Sequence, residues 1–166
     1  GVAEIWSKNV KGVRAVAEVT GASVENVKLA HKGETVIGEV MADSVIAGYE
    51  GLSKFKGKKH DILSMAIMYP NVLQVVTLKK SGITNIEQVK GRNISTGSPG
   101  SGTNFMTEAV FKALGIPLDS YKDSRLSFTE SANALRDGTI EVGIWCVGPP
   151  TSSIMDLSTT HDISIV

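Results

Sequence analysis

The sequence predicts an α/β protein in which strands alternate with helices, and three observations carry that reading. Short apolar runs such as 72–78 and 141–147 recur between stretches whose apolar residues follow helical spacing, such as 105–114. Gly33, Gly91, Gly115 and Gly138 fall where that helical spacing stops. The composition, 42% apolar with 17 basic and 17 acidic residues, supplies one or two modest cores in a globular chain. Alternation of this kind implies a parallel sheet with helices on its faces.

Taken in order, Val2, Ile5, Trp6 and Val10 are spaced like the buried stripe of a helix. A strand follows over 14–19, then a turn and a helix capped by Ser23 and stopped by Gly33. A short strand over 35–40 leads through Asp43 and Ser44 into a second helix. The lysine-rich stretch 53–60 reads as a solvated loop. Two apolar runs, 62–69 and 72–78, read as consecutive buried strands around Pro70 and Asn71. The polar break from Lys79 to Gly82 divides a first lobe, 1–78, from a second, 79–166. Beyond it the pattern predicts a short helix capped by Thr84 with Glu87 in the capping-box position, and a strand over 93–96. Then come a helix from Phe105 to Leu114, a strand over 126–128, a helix capped by Thr129, a strand over 141–147, a helix over 151–158 and a last strand over 162–166.

Composition narrows the function as well. The formal charge is zero, so no basic stripe points to nucleic acid. The apolar runs are too short to span a bilayer, so the chain is not expected to be membrane-embedded. A single cysteine, Cys146, excludes an internal disulfide framework. Three scattered histidines give no metal-ligand spacing, so neither metal nor cofactor is expected. His31, His60 and His161 read as surface residues without partners, and Trp145 and Cys146 as packing.

The chemistry concentrates in Gly97-Ser98-Pro99-Gly100-Ser101-Gly102-Thr103, between a strand and a helix start. Glycine lets the backbone approach a ligand closely, first-turn amides are unpaired donors, and aligned peptide dipoles favour an anion there. Ser98, Ser101 and Thr103 add hydroxyls suited to a carboxylate or phosphate. Three catalytic patterns fail. No Lys follows the final glycine as a P-loop requires, Phe105 stands where a dinucleotide fingerprint needs a third glycine, and no serine has glycine two residues away on both sides. No catalytic residue is therefore assigned. The alternatives are an enzyme on the same two-lobed fold, using these hydroxyls with Asp43 or Glu108 around a small carboxylate or phosphate, and a ligand-gated sensor lobe.

Several stretches carry a family resemblance in order along nearly the whole chain. They are Val19-Thr20-Gly21-Ala22-Ser23-Val24-Glu25-Asn26, Tyr69-Pro70, Ser81-Gly82-Ile83, Val89-Lys90-Gly91, the loop 97–103, Ala113-Leu114-Gly115, Leu126-Ser127-Phe128, Leu135-Arg136-Asp137-Gly138 and Thr160-His161-Asp162-Ile163. Together they resemble the TAXI-type solute receptors of tripartite ATP-independent periplasmic (TRAP) transporters. The resemblance implies a periplasmic-binding-protein-like fold of type II, two α/β lobes joined by crossing strands, with further chain before Gly1 and after Val166. It also implies a periplasmic location and no enzymatic activity. The protein would capture a small carboxylate, such as an amino acid or another organic acid, and dock on the TRAP transporter membrane subunits. Carried over by matching position, Gly97, Ser98, Gly100, Ser101, Gly102 and Thr103 hold the carboxylate from the second lobe. Ser23 and Tyr69 face the cleft from the first, Asp43 suits a ligand ammonium, and Gly148 and Pro149 offer backbone contacts at a strand end. Met41 stands where the family often carries glutamine.

Overall fold

A computed structural model describes all of residues 1–166. Strand β1 (Val72–Leu78) sits inside a five-stranded sheet of order β3-β2-β4-β1-β5, with β2 (Asn93–Ser95), β3 (Lys122–Asp123), β4 (Val142–Val147) and β5 (Ile163–Ile165). It runs antiparallel to β4, pairing Val75 with Ile144, and antiparallel to β5, pairing Thr77 with Ser164. β2 runs parallel to both β3 and β4, so the sheet is mixed rather than wholly parallel. Packing does not break at 78/79, because β1 is laddered only to strands that follow it in the chain.

Period-two alternation sends successive side chains of β1 and β4 to opposite faces. Val75, Val142 and Ile144 join Val89, Ile94 and Phe111 on one face, where α4 (Gly102–Ala113) packs. Val76, Leu78 and Trp145 meet Ala132, Leu135, Ile154 and Leu157 on the other, under α5 (Phe128–Arg136) and α6 (Ser152–Thr160). Helices thus cover both faces of the sheet. A third, smaller core joins α2 (Ser23–Lys32) and α3 (Ala42–Glu50) through Val24, Val27, Ala47 and Phe55, with Phe105 of α4 packed against it. No helix is long and apolar enough to cross a membrane.

Four expected strands do not form. Residues 14–19, 35–40 and 62–69 carry no ladder and leave Val36, Leu63 and Ile67 more than nine-tenths exposed. Both edges of β1 are occupied by β4 and β5, so 62–69 has no place beside it. The fourth, 126–128, is instead a helix start: Ser127 Oγ accepts the Glu130 N–H at 3.4 Å, and the Glu130 carboxylate accepts the Ser127 N–H at 2.9 Å. Ser127, not Thr129, caps α5.

Other caps shift by one residue for equally local reasons. Ala22, at φ 71°, occupies the cap position of α2 and leaves the Ser23 side chain free for another bond. Asn85 rather than Thr84 caps the 3-10 turn Ile86–Val89, accepting the Glu87 N–H at 2.8 Å, while Gln88 reaches back to the Thr84 and Asn85 amides. α1 (Val2–Asn9) carries a Glu4–Lys8 ion pair and buries none of its expected stripe.

Candidate functional site

The loop from Thr96 to Ser101 connects β2 to α4, and its shape follows from two glycines at positive φ, Gly97 at 97° and Gly100 at 77°. A side chain at Gly97 would also meet Thr103 Cβ at 2.9 Å and Ser101 Oγ at 3.0 Å. Ser101 is the N-cap of α4: its Oγ accepts the Asn104 N–H at 3.0 Å and its carbonyl accepts the Phe105 N–H at 3.1 Å. The amides of Gly102 and Thr103 meet no acceptor within the chain, leaving two donors at the positive end of a twelve-residue helix.

One of the three hydroxyls expected to be ligand donors is committed elsewhere. Thr103 Oγ1 bridges inward to β4, accepting the Cys146 N–H at 3.3 Å and donating to the Cys146 carbonyl at 3.5 Å. Ser101 Oγ is the acceptor in the cap and keeps its own hydrogen to donate. The half-buried Ser98 hydroxyl meets no partner within the chain, so both hydroxyls stand available beside the backbone N–H groups of this helix start.

A brace behind the loop was not anticipated. Thr96 Oγ1 donates to Asp123 Oδ2 at 2.6 Å, the Thr96 N–H reaches Asp123 Oδ1 at 3.2 Å, and Asn104 Nδ2 donates to Thr96 Oγ1 at 2.8 Å. This chain fixes the loop to β3 and to the first turn of α4 at once. Asp123 stands 27 residues from Thr96, so no local pattern could have revealed it.

Across a closed seam lies the N-terminal helical region. The Val24 N–H donates to the Gly100 carbonyl at 3.0 Å, and Met41 Sδ and Ser23 Oγ lie directly against Gly102. Ser23 Oγ accepts the Met41 N–H at 3.1 Å, joining the starts of α2 and α3. Ser23, Ser101 and Thr103 are all buried. Ser23 and the loop 97–103 are therefore neighbours. Tyr69 packs instead on Gly148, where a Cβ would meet its ring at 2.8 Å; Pro149 follows at the exposed end of β4.

Asp43 stands in the first turn of α3. One carboxylate oxygen accepts the Ser44 N–H at 2.6 Å, while the other is buried with no partner. Burial pushes the Asp43 carboxyl above its usual pKa, with hydrogen bonds to Ser44 acting in the opposite sense. The Cys146 thiol is pushed up to about 11, first by burial and then by the charge of Asp43. At neutral pH it is a thiol, unsuited to nucleophilic attack. His31 and His60 prove to have partners after all: their rings meet edge-on at 4.9 Å, and His31 Nδ1 accepts the Asp61 N–H at 2.9 Å.

The raised Asp43 pKa has a testable consequence. Because the folded value lies above the unfolded one, this group favours folding most at pH below the ordinary aspartate range, and that contribution is lost as pH rises through the raised value. Asp43→Asn is expected to raise the Tm at neutral pH, with the gain shrinking as the pH is lowered. Thermal melts across that range check it; a gain independent of pH would contradict it.

A mixed sheet covered on both faces, with a glycine-bearing strand-to-helix loop closed against a second set of helix starts, is the type II periplasmic-binding-protein-like architecture. Two solved structures are similar to it over almost the whole chain. One is the alkanesulfonate-binding protein SsuA from Xanthomonas axonopodis pv. citri bound to MOPS, with 14% identity, TM-score 0.63, and coverage of 98% of this chain and 53% of that one. The other is a protein from Bordetella bronchiseptica RB50, with 18% identity, TM-score 0.66, and coverage of 99% and 49%. The present chain thus spans about half the length of these relatives. It belongs to the NMT1-like family, whose model matches residues 1–166.

Proposed function

We propose that this protein is an extracytoplasmic solute receptor of the TAXI type, which captures a small carboxylate between two lobes and delivers it to the membrane subunits of a TRAP transporter. The observation that carries the proposal is the pair of amides, Gly102 and Thr103, left without acceptors at the start of α4. A carboxylate accepting both would form charge-assisted hydrogen bonds, each contributing about 1.5–3 kcal/mol. Ser23 lies against the same point, and the unpartnered Asp43 oxygen suits a ligand ammonium. The ordered match of sequence stretches supports the TAXI and TRAP assignment.

Capture follows from closure. Ligand must enter by parting the seam, and bridging contacts then shift the open and closed populations. No bond is made or broken, and the Cys146 thiol offers no nucleophile.

Calorimetry on the full-length protein with amino acids, other organic acids and alkanesulfonates tests this reading. A small carboxylate should bind, and Ser101→Ala should weaken it roughly tenfold while costing about 1 kcal/mol of stability through the lost cap. Binding of a sulfonate but of no carboxylate would keep anion capture and overturn the ligand class. Binding of no anion would overturn the whole reading.

A further inference from the structure

The fold gathers basic side chains at a place unrelated to the loop 97–103. Lys28, His31 and Lys32 recur at i, i+3 and i+4 and so share one face of the last turns of α2. Lys54, Lys56 and Lys58 come from the turn that follows α3, where Lys56 at φ 50° and Gly57 at φ 78° fold the chain back. Together they line a pocket of about 380 Å³.

The floor of this pocket is fixed. Phe55 is 2% exposed in the small core and meets the His60 ring edge-on at 4.9 Å. His31 is held in turn by the Asp61 N–H, which reaches its Nδ1 at 2.9 Å. Carboxylates offset only part of the charge. Lys32 pairs with Glu34 at 3.5 Å and Lys54 with Glu108 at 2.6 Å, whereas Lys28, Lys56 and Lys58 enter no ion pair. In a chain whose formal charge is zero, this is a local excess of positive charge.

We infer that this basic pocket is a docking surface for an acidic protein segment. The lysines that carry the charge are exposed apart from the half-buried Lys54, as long-range attraction to a partner requires; an enclosed small-ligand site would have buried donors. Concavity favours a protruding Asp- or Glu-bearing segment, which reaches the half-buried Lys54 as well as the exposed rim, over a flat anionic bilayer, which reaches the rim alone. The 53–60 stretch is then more than a solvated loop. Lys54 adds a coupling: its partner Glu108 lies on α4, so an entering carboxylate competes with α4 for the same ammonium group. Docking of an acidic segment goes beyond solute capture and does not rest on that reading.

Fluorescence anisotropy of a labelled oligo-glutamate peptide, with oligo-glutamine as control and the full-length protein as receptor, tests the inference. Lys56→Glu combined with Lys58→Glu should weaken oligo-glutamate binding on the order of tenfold at low salt. Lys79→Glu combined with Lys80→Glu, outside the pocket, should change it little. Glu108→Gln, which frees Lys54, should strengthen it severalfold. Equal weakening by both reversals would overturn the inference, as would binding to phosphatidylserine vesicles but not to the peptide. Circular dichroism verifies folding, and calorimetry with the bound solute separates the two proposals. Retained solute binding with no peptide binding overturns docking alone, and the reverse result overturns solute capture alone.

Discussion

Trp145→Ala is expected to lower the free energy of unfolding by about 3–5 kcal/mol, the largest loss that a single side chain of this fold should produce. Trp145 is fully buried on β4, stacks on Phe128 at 6.1 Å between ring centroids, and donates through Nε1 to Ser153 Oγ at 3.1 Å. It therefore ties the sheet to both α5 and α6. Gly143, two residues earlier on the same face, leaves room for the ring: a Cβ there would stand 2.5 Å from Trp145 Cζ3. Truncation leaves a cavity the size of an indole between a strand and two helices, none of which can collapse without disturbing the ladder. Trp145→Phe should cost less, since most of the contact survives and only the indole N–H is lost. Urea titration checks both, with a lower midpoint and an unchanged slope. A midpoint within error of the wild type for Trp145→Ala would show that this core does not set stability.

What the sequence disclosed of this arrangement divides along a physical line. Local periodicity was sufficient for β1, β2, β4, β5 and the helices α2 to α6, because each carries its own pattern of buried positions. Pairing is not local. Residues 35–40 and 62–69 have strand-like composition, yet nothing in them states which neighbour is free, and β1 is already flanked on both sides. Conversely β3, Lys122–Asp123, is polar and two residues long, so its place at the sheet edge follows only from its pairing with β2. The loop 97–103 was legible as a loop, through its glycines and the helix start that follows. Which of its groups are free was not: the Thr103 hydroxyl goes to a strand more than forty residues away, and the brace through Asp123 joins residues 27 apart. The basic pocket shows the same limit, since Lys28 and Lys58 meet only after α2 and α3 pack.

Gly102→Ala should leave the fold intact and cut ligand affinity about a hundredfold, equivalent to some 2.7 kcal/mol. Alanine favours a helix over glycine, and Gly102 has no positive φ, so α4 itself should be stabilised by up to about 1 kcal/mol. The cost falls on the seam. A Cβ at this position runs into Met41 Sδ and comes within 2.7 Å of Ser23 Oγ, so α4 and the starts of α2 and α3 cannot close to their present separation. The same methyl group stands beside one of the two amides offered to the carboxylate. Loss of that charge-assisted bond together with incomplete closure gives the expected magnitude. Combining Gly102→Ala with Met41→Ala separates the two contributions: removing the thioether should restore closure and recover part of the affinity. Calorimetry for binding and thermal melts for folding measure the two quantities independently. An affinity unchanged in Gly102→Ala, with the fold intact, would mean that ligand neither binds at this helix start nor needs this seam to close.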